Sequence, residues 1–333
     1  MFRTCLQITA FVALLLGFGW TTVMAQAQPR STTPAAKNRI KVIFDCDLGD
    51  DIDDAYALAL LCASPELEVL GITTCYGRTD DRAQLACQML YDWGLDSIPV
   101  AVRRDHRQTD ERANWYADQF RYAQGFTRKK PISQPAVDFI REQLRKYPGE
   151  VTVISVGPVP NMADLIKRDP GALKLAKRVV SMFGSFSIGY NGSPTIDTEW
   201  NVRADVEASK LFVSNGVPIT YAGLDVTTFV KADAAFRQKL LMRQSPLTST
   251  LCGLQTLWAY DRDPVLYDAV AVGMVLWPDL FKTQPAHVTV DNKGYTRLTM
   301  QQPANGEVAV YINTSKFLER LMRVYMNQNL RRF

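Results

Sequence analysis

The 333-residue chain has little net charge: 38 Lys and Arg against 34 Asp and Glu, a formal +4. Basic residues are scattered apart from "TRKK" and "NLRRF", which read as solvated faces. A nucleic-acid binder would show a basic patch or stripe, so that class is excluded. Cysteine is sparse too. Once a leader is set aside, Cys46, Cys62, Cys75, Cys87 and Cys252 remain, an odd number with no metal-site spacing. Most lie in apolar runs, which favours buried thiols and leaves one disulfide open. No internal repeat and no Pro/Ser/Gly-rich linker interrupts the body, so neither a repeat array nor a string of domains is expected. At 47% hydrophobic and 22% charged, the composition suits one large core.

Long apolar runs are also missing, with one exception. Ile8 to Trp20 follows Arg3 and precedes the small-residue options "VMA" and "AQA". This is a secretory signal pattern, and the run is short for a membrane span. The expected organisation is a signal peptide over 1–25, a flexible lead-in over 26–38 and a single domain over 39–333. The protein is then exported, periplasmic or secreted, with no stable membrane span after cleavage. An uncleaved anchor helix is the alternative. Export would permit disulfides.

The body alternates strand and helix. "RIKVIFDCD", "LEVLGITTCYG", "IPVAV", "VTVISVG", "AKRVVSMFGS" and "VPITYAGLD" read as strands. "DDAYALALLCAS", "DRAQLACQMLYDWG", "PAVDFIREQLRKYPG", "NMADLIKRDP" and "ADVEASKLFVSNG" read as helices between them. A late strand pair is expected over about 288–312, then a final helix in "TSKFLERLMRVYMNQNL". Near-continuous apolar strands joined by helices predict an α/β fold with an open, mostly parallel, doubly wound (Rossmann-like) sheet. Ligands bind such sheets beyond the carboxyl ends of the strands.

At one such end stands "IFDCDLGDDIDDAYALAL". Asp45, Asp47, Asp50, Asp51, Asp53 and Asp54 fall within ten residues. Helix capping accounts for one or two of them; six repel one another unless a cation neutralises them, and hard carboxylate oxygens suit Ca²⁺ or Mg²⁺. An EF-hand fits poorly, because no Glu closes the loop and a strand precedes it. Asp45-Cys46-Asp47 alone would also suit a haloacid-dehalogenase-like phosphatase.

The longer motif is more specific. "DCDLGDDIDDAYAL" resembles the D-T-D-x-G-x-D-D-A-x-A-L signature of the calcium-dependent nucleoside hydrolases of the inosine–uridine-preferring type, with a two-residue expansion. "VTVISVGPVPNMADLI", "IDTEWNVRADVEAS", "VPITYAGLDVTT" and "PVLYDAVAVGMVLWPDLF" are similar to later family segments, in order, from about Arg39 to Tyr325. The phosphatase pattern has no such continuation. The resemblance implies hydrolysis of the N-glycosidic bond of a ribonucleoside, with Ca²⁺ as cofactor. It implies Asp47 as metal ligand and general base, and Asp54, the Pro160 carbonyl and Asp268 as further ligands. It implies Asp53, Glu199 and Asn201 at the ribose, and homo-oligomers as a form the chain could take. Asn191 in "GYNGS" is the counterpart of a further sugar-binding asparagine, or else a turn residue.

Two positions depart from the family pattern. Tyr267 stands where a histidine would assist departure of the base; a phenol ordinarily ionises near 10 and is the poorer acid. The chain's two histidines lie elsewhere: His106 reads as a surface residue and His287 as structural. Gly77 is followed by Arg78 instead of asparagine, and Asp50 or Asp51 is its expected partner. Base preference, purine or pyrimidine, stays open, with Trp200, Tyr190, Trp258 and Tyr260 as stacking candidates or core. A catalytically weak nucleoside- or sugar-binding protein of the same fold is the alternative function.

Overall fold

The computed structural model describes residues 39–104, 114–299 and 301–332. The expected leader and lead-in, and His106, lie outside the described residues. Nine strands form one sheet: β1 (Ile40–Cys46), β2 (Leu67–Thr74), β3 (Val100–Val102), β4 (Val151–Ser155), β5 (Arg178–Met182), β6 (Ile219–Ala222), β7 (Phe281–Val290), β8 (Thr296–Thr299) and β9 (Gly306–Ile312). Their spatial order is β3-β2-β1-β4-β5-β6-β9-β7-β8. The first six pair in parallel, β9 joins β6 in parallel, and β7 lies antiparallel between β9 and β8.

The helices are α1 (Asp53–Ala63), α2 (Thr79–Asp92), α3 (Ala136–Lys146), α4 (Pro160–Arg168), α5 (Trp200–Ala204), α6 (Val206–Val213), α7 (Leu224–Thr227), α8 (Ala234–Arg243), α9 (Pro246–Ala259), α10 (Tyr267–Leu276) and α11 (Thr314–Asn327). They cover both sheet faces, which is why the strands read as unbroken apolar runs. Alternate side chains of β1 go to opposite sides. Val42, Phe44 and Cys46 join the core with α1, α2 and α10, while Ile43 joins the core with α3, α4 and α6. Among the described residues no helix is long and apolar enough to cross a membrane, and the five cysteines there are free thiols.

The sheet departs from expectation at its far edge. The expected late pair is three strands, and β8 and β9 do not pair with each other: β7 separates them. Helices α8 and α9 were not expected. The first buries only Phe236 and Leu240, too few apolar positions to set a clear period, and ends at Gln244 in the left-handed region with φ 51°. What positions the site is the reversal at β1. The chain winds outward to β2 and β3 on one side and to β4 on the other, so a crevice opens at the carboxyl ends of β1 and β4.

Candidate active site

A cavity of about 460 Å³ occupies that crevice. The acidic motif forms one wall. Strand β1 ends at Cys46, the chain turns through Gly49 (φ 110°), and α1 begins at Asp53. A Cβ on Gly49 would stand 2.4 Å from Phe120 Cε1, so the turn needs glycine twice over. Asp47, Asp50, Asp51, Asp53 and Asp54 line the cavity here, and Asp268 reaches it from the first turn of α10. The Asp268 amide donates to Asp53 Oδ2 at 3.2 Å, which ties α10 to α1 across 215 residues of sequence.

Asp53, Asp54 and Asp268 are all buried, and each offers a carboxylate oxygen within 4.8 Å of the others. Asp54 Oδ1 is buried with no hydrogen-bond partner. Burial first, then repulsion from neighbouring carboxylates (Asp51 and Asp47 on Asp53, Asp47 and Asp53 on Asp54, Asp53 and Asp54 on Asp268), pushes all three carboxyls well above the usual range. Asp47 rises to about 7: burial raises it, Arg82 holds it down, and Asp50 pushes it further up. Asp51 rises to about 6, mainly through burial. Buried carboxylates of this density either keep their protons or meet a cation. An orphaned oxygen inside a hard-oxygen set fits a divalent ion.

Asp45 points the other way. It accepts hydrogen bonds from Thr73 Oγ1 at 2.5 Å and from Asn161 Nδ2 at 2.7 Å. It braces the strand end behind the cavity, and burial lifts it to about 6. Gly157, in the turn after β4, packs against Asp47: a Cβ there would lie 2.6 Å from Asp47 Oδ1.

The facing wall carries Glu199 and Asn201. Glu199 caps α5, accepting from the amides of Asn201 (2.8 Å), Val202 (3.3 Å) and Gly184 (3.0 Å). Burial raises it to about 7 against those three bonds. Asn201 Nδ2 donates to the carbonyls of Val156 (2.8 Å) and Met182 (3.0 Å), which leaves its oxygen for a ligand hydroxyl. Aromatic groups complete the mouth: Trp115, Tyr190, Trp200, Trp258 and Tyr267. Arg262 lies over Trp258, 5.6 Å from its ring centre.

Residues 42–319 match the sequence model of the family "Inosine-uridine preferring nucleoside hydrolase". The chain belongs to the nucleoside hydrolase family. It is accordingly a glycosidase that hydrolyses the N-glycosidic bond of ribonucleosides. It is 31% identical over 270 residues to "Uridine nucleosidase 1" of Arabidopsis thaliana, covering 76% of this chain and 79% of that one. It is 30% identical over 310 residues to "Pyrimidine-specific ribonucleoside hydrolase RihA" of Citrobacter koseri, covering 85% and 96%. A solved plant nucleoside hydrolase shares the fold, with a TM-score of 0.76, 24% identity, and 86% and 99% of the two chains covered. A purine-preferring ribonucleoside hydrolase from Gardnerella vaginalis superposes with a TM-score of 0.73 at 23% identity, covering 86% and 98%.

Of the expected nucleoside hydrolase residues, the structure brings together Asp47, Asp53, Asp54, Glu199, Asn201, Tyr267 and Asp268. Two stand apart. Asn191 is exposed at φ 58°, ψ 20° in a short turn and is not among the residues lining the cavity, so its turn reading is the one the geometry favours. Pro160 is buried at the first position of α4, also outside the lining, where its carbonyl runs along the helix axis. The expected partner of Arg78 is corrected as well. Arg78 precedes α2 and pairs with Asp81 in its first turn at 2.5 Å, while Asp50 pairs with Arg82 at 3.1 Å. Tyr260 is exposed, and His287 lies in β7 with Nδ1 2.8 Å from the Pro303 carbonyl oxygen.

The sequence reading missed Arg82 and Gln119. Arg82 occupies the buried stripe of α2 with Ala86, Met89 and Leu90, and a charge on an apolar stripe was the available signal. Gln119 lies in a short 3-10 helix, Asp118–Ala123, too brief to show a period; its Nε2 donates to the carbonyls of Gly49 and Asp51, both at 2.9 Å.

Proposed function

We propose that this nucleoside hydrolase is calcium-dependent, with Asp54 and Asp268 holding the cation together with Asp47, and with Asp47 as general base. The carrying observation is the convergence of Asp53, Asp54 and Asp268 from two distant segments, with one Asp54 oxygen unpartnered. When bound, the cation supplies a template and Lewis-acid function for the ribose diol and a water. Asp47, ionised beside the cation, is placed in the cavity wall to take the proton from that water. The water oxygen bonds to C1′ as the C1′–N bond breaks, and the base departs with the bonding pair. Asp53 approaches a ribose hydroxyl from the acidic wall. Glu199 and Asn201 orient the sugar from the other.

Tyr267 faces the leaving base. Burial, then Asp53 and Asp51, keep its phenol far from ionising. It therefore acts as a hydrogen-bond donor. The aromatic mouth stacks on the base, and its named relatives include both uridine-directed and non-specific enzymes. Weak turnover with retained binding is the second reading, favoured by the phenol at this position. Free ribose released from a panel of purine and pyrimidine nucleosides, with and without chelator, separates the two. Chelator-sensitive release supports the proposal. Thermal stabilisation by nucleosides without release supports the binder. We also infer export from the leader over 1–25; the mass of the mature chain from cell fractions tests it.

A further inference from the structure

We propose that Arg82 is a positioning residue for the acidic wall: from inside α2 its guanidinium fixes the loop from Asp47 to Asp51 in the shape that receives a divalent cation. This rests on the metal-centred reading above. Arg82 is 1% exposed. Its Nε donates to the Tyr76 carbonyl at 2.8 Å. Its Nη1 donates to the Asp47 carbonyl and, at 3.1 Å, to that of Leu48. Its Nη2 meets Asp50 Oδ1 at 3.1 Å. One rigid fork thus joins the turn after β1 to the turn after β2. From the other side Gln119 holds Gly49 and Asp51, and the Phe120 ring centre lies 5.9 Å from the guanidinium carbon.

Charge alone argues against an arginine here, since it repels a cation bound beyond the same loop. Geometry argues for it. Lysine offers one compact ammonium and cannot span these acceptors with a planar fork. Asp50, part of the two-residue expansion, neutralises the guanidinium, so the pair adds shape to the loop without adding net charge. The expansion and the arginine then form one device.

The test uses the mature chain and its Arg82→Lys, Arg82→Met and Asp50→Asn variants. Calorimetric titration with Ca²⁺ and with Mg²⁺ gives affinity, and hydrogen exchange of amides 47–52 in chelator reports the loop without metal. Arg82→Lys keeps the charge, so the expected result is roughly tenfold or more weaker cation binding, typical of lost outer-shell support, with faster loop exchange. Unchanged affinity and exchange in Arg82→Lys, or tighter binding in Arg82→Met, would overturn the proposal. Should neither arginine variant fold, Asp50→Asn decides: faster loop exchange with weaker binding supports it, and unchanged loop exchange contradicts it. If the unsubstituted chain binds neither cation, the metal-centred reading falls, and loop exchange alone decides whether Arg82 fixes the loop.

Discussion

Asp47 stands under three influences: its burial, the Arg82 guanidinium, and the carboxylates around it. Replacing it with asparagine keeps the volume and removes the base. The expected result for Asp47→Asn is a folded protein whose kcat falls by roughly 10²–10⁴, measured as ribose release. Tyr267 makes a milder prediction. As a donor that stays neutral, it contributes one hydrogen bond, so Tyr267→Phe should lower kcat/KM by about 3- to 10-fold. The alkaline side of the pH–rate profile should not move. A lost alkaline limb would show that the phenol titrates in turnover.

The elements that hold these side chains were unevenly legible. Strand β1 and helix α1 were readable because an apolar run and an acidic helix start leave strong local marks. Asp268 was reachable only through likeness to the family, since nothing local joins α10 to α1. The three-strand edge was misread because β9 leaves its neighbour β8 to pair with β6, a non-local choice no local period records. Asn191 was left open because an Asn-Gly pair serves a turn or a ligand equally well, and the structure shows it in a turn outside the cavity lining. Between β4 and α4, Gly157 sits so close to the acidic wall that a methyl group would stand 2.7 Å from Cys75 Sγ and 2.9 Å from the Asp47 amide nitrogen. Gly157→Ala should therefore cost about 1–3 kcal/mol of stability as overpacking, and weaken cation binding as Asp47 shifts. Thermal denaturation and calorimetry check the two effects.

Across the whole molecule, burial raises Asp45 and Asp51 to about 6, and Asp47 and Glu199 to about 7. Unfolded carboxyls titrate near 4. Between about pH 4 and 7 the metal-free folded chain holds more protons than the unfolded one, so these groups contribute stability that is lost as pH rises through that window. In chelator, Tm should be higher near pH 5.5 than at pH 8. A bound cation replaces those protons, so its affinity, and its stabilisation of the fold, should grow with pH. Scanning calorimetry across that range with and without Ca²⁺ checks both signs.

The most direct test is a crystal structure grown with Ca²⁺ and ribose. One cation is expected at the carboxyl end of β1, contacted by Asp47, Asp54, Asp268 and the ribose diol, with Glu199 and Asn201 on the sugar. A cation that leaves Asp54 or Asp268 uncontacted, or ribose bound away from the acidic wall, would contradict it.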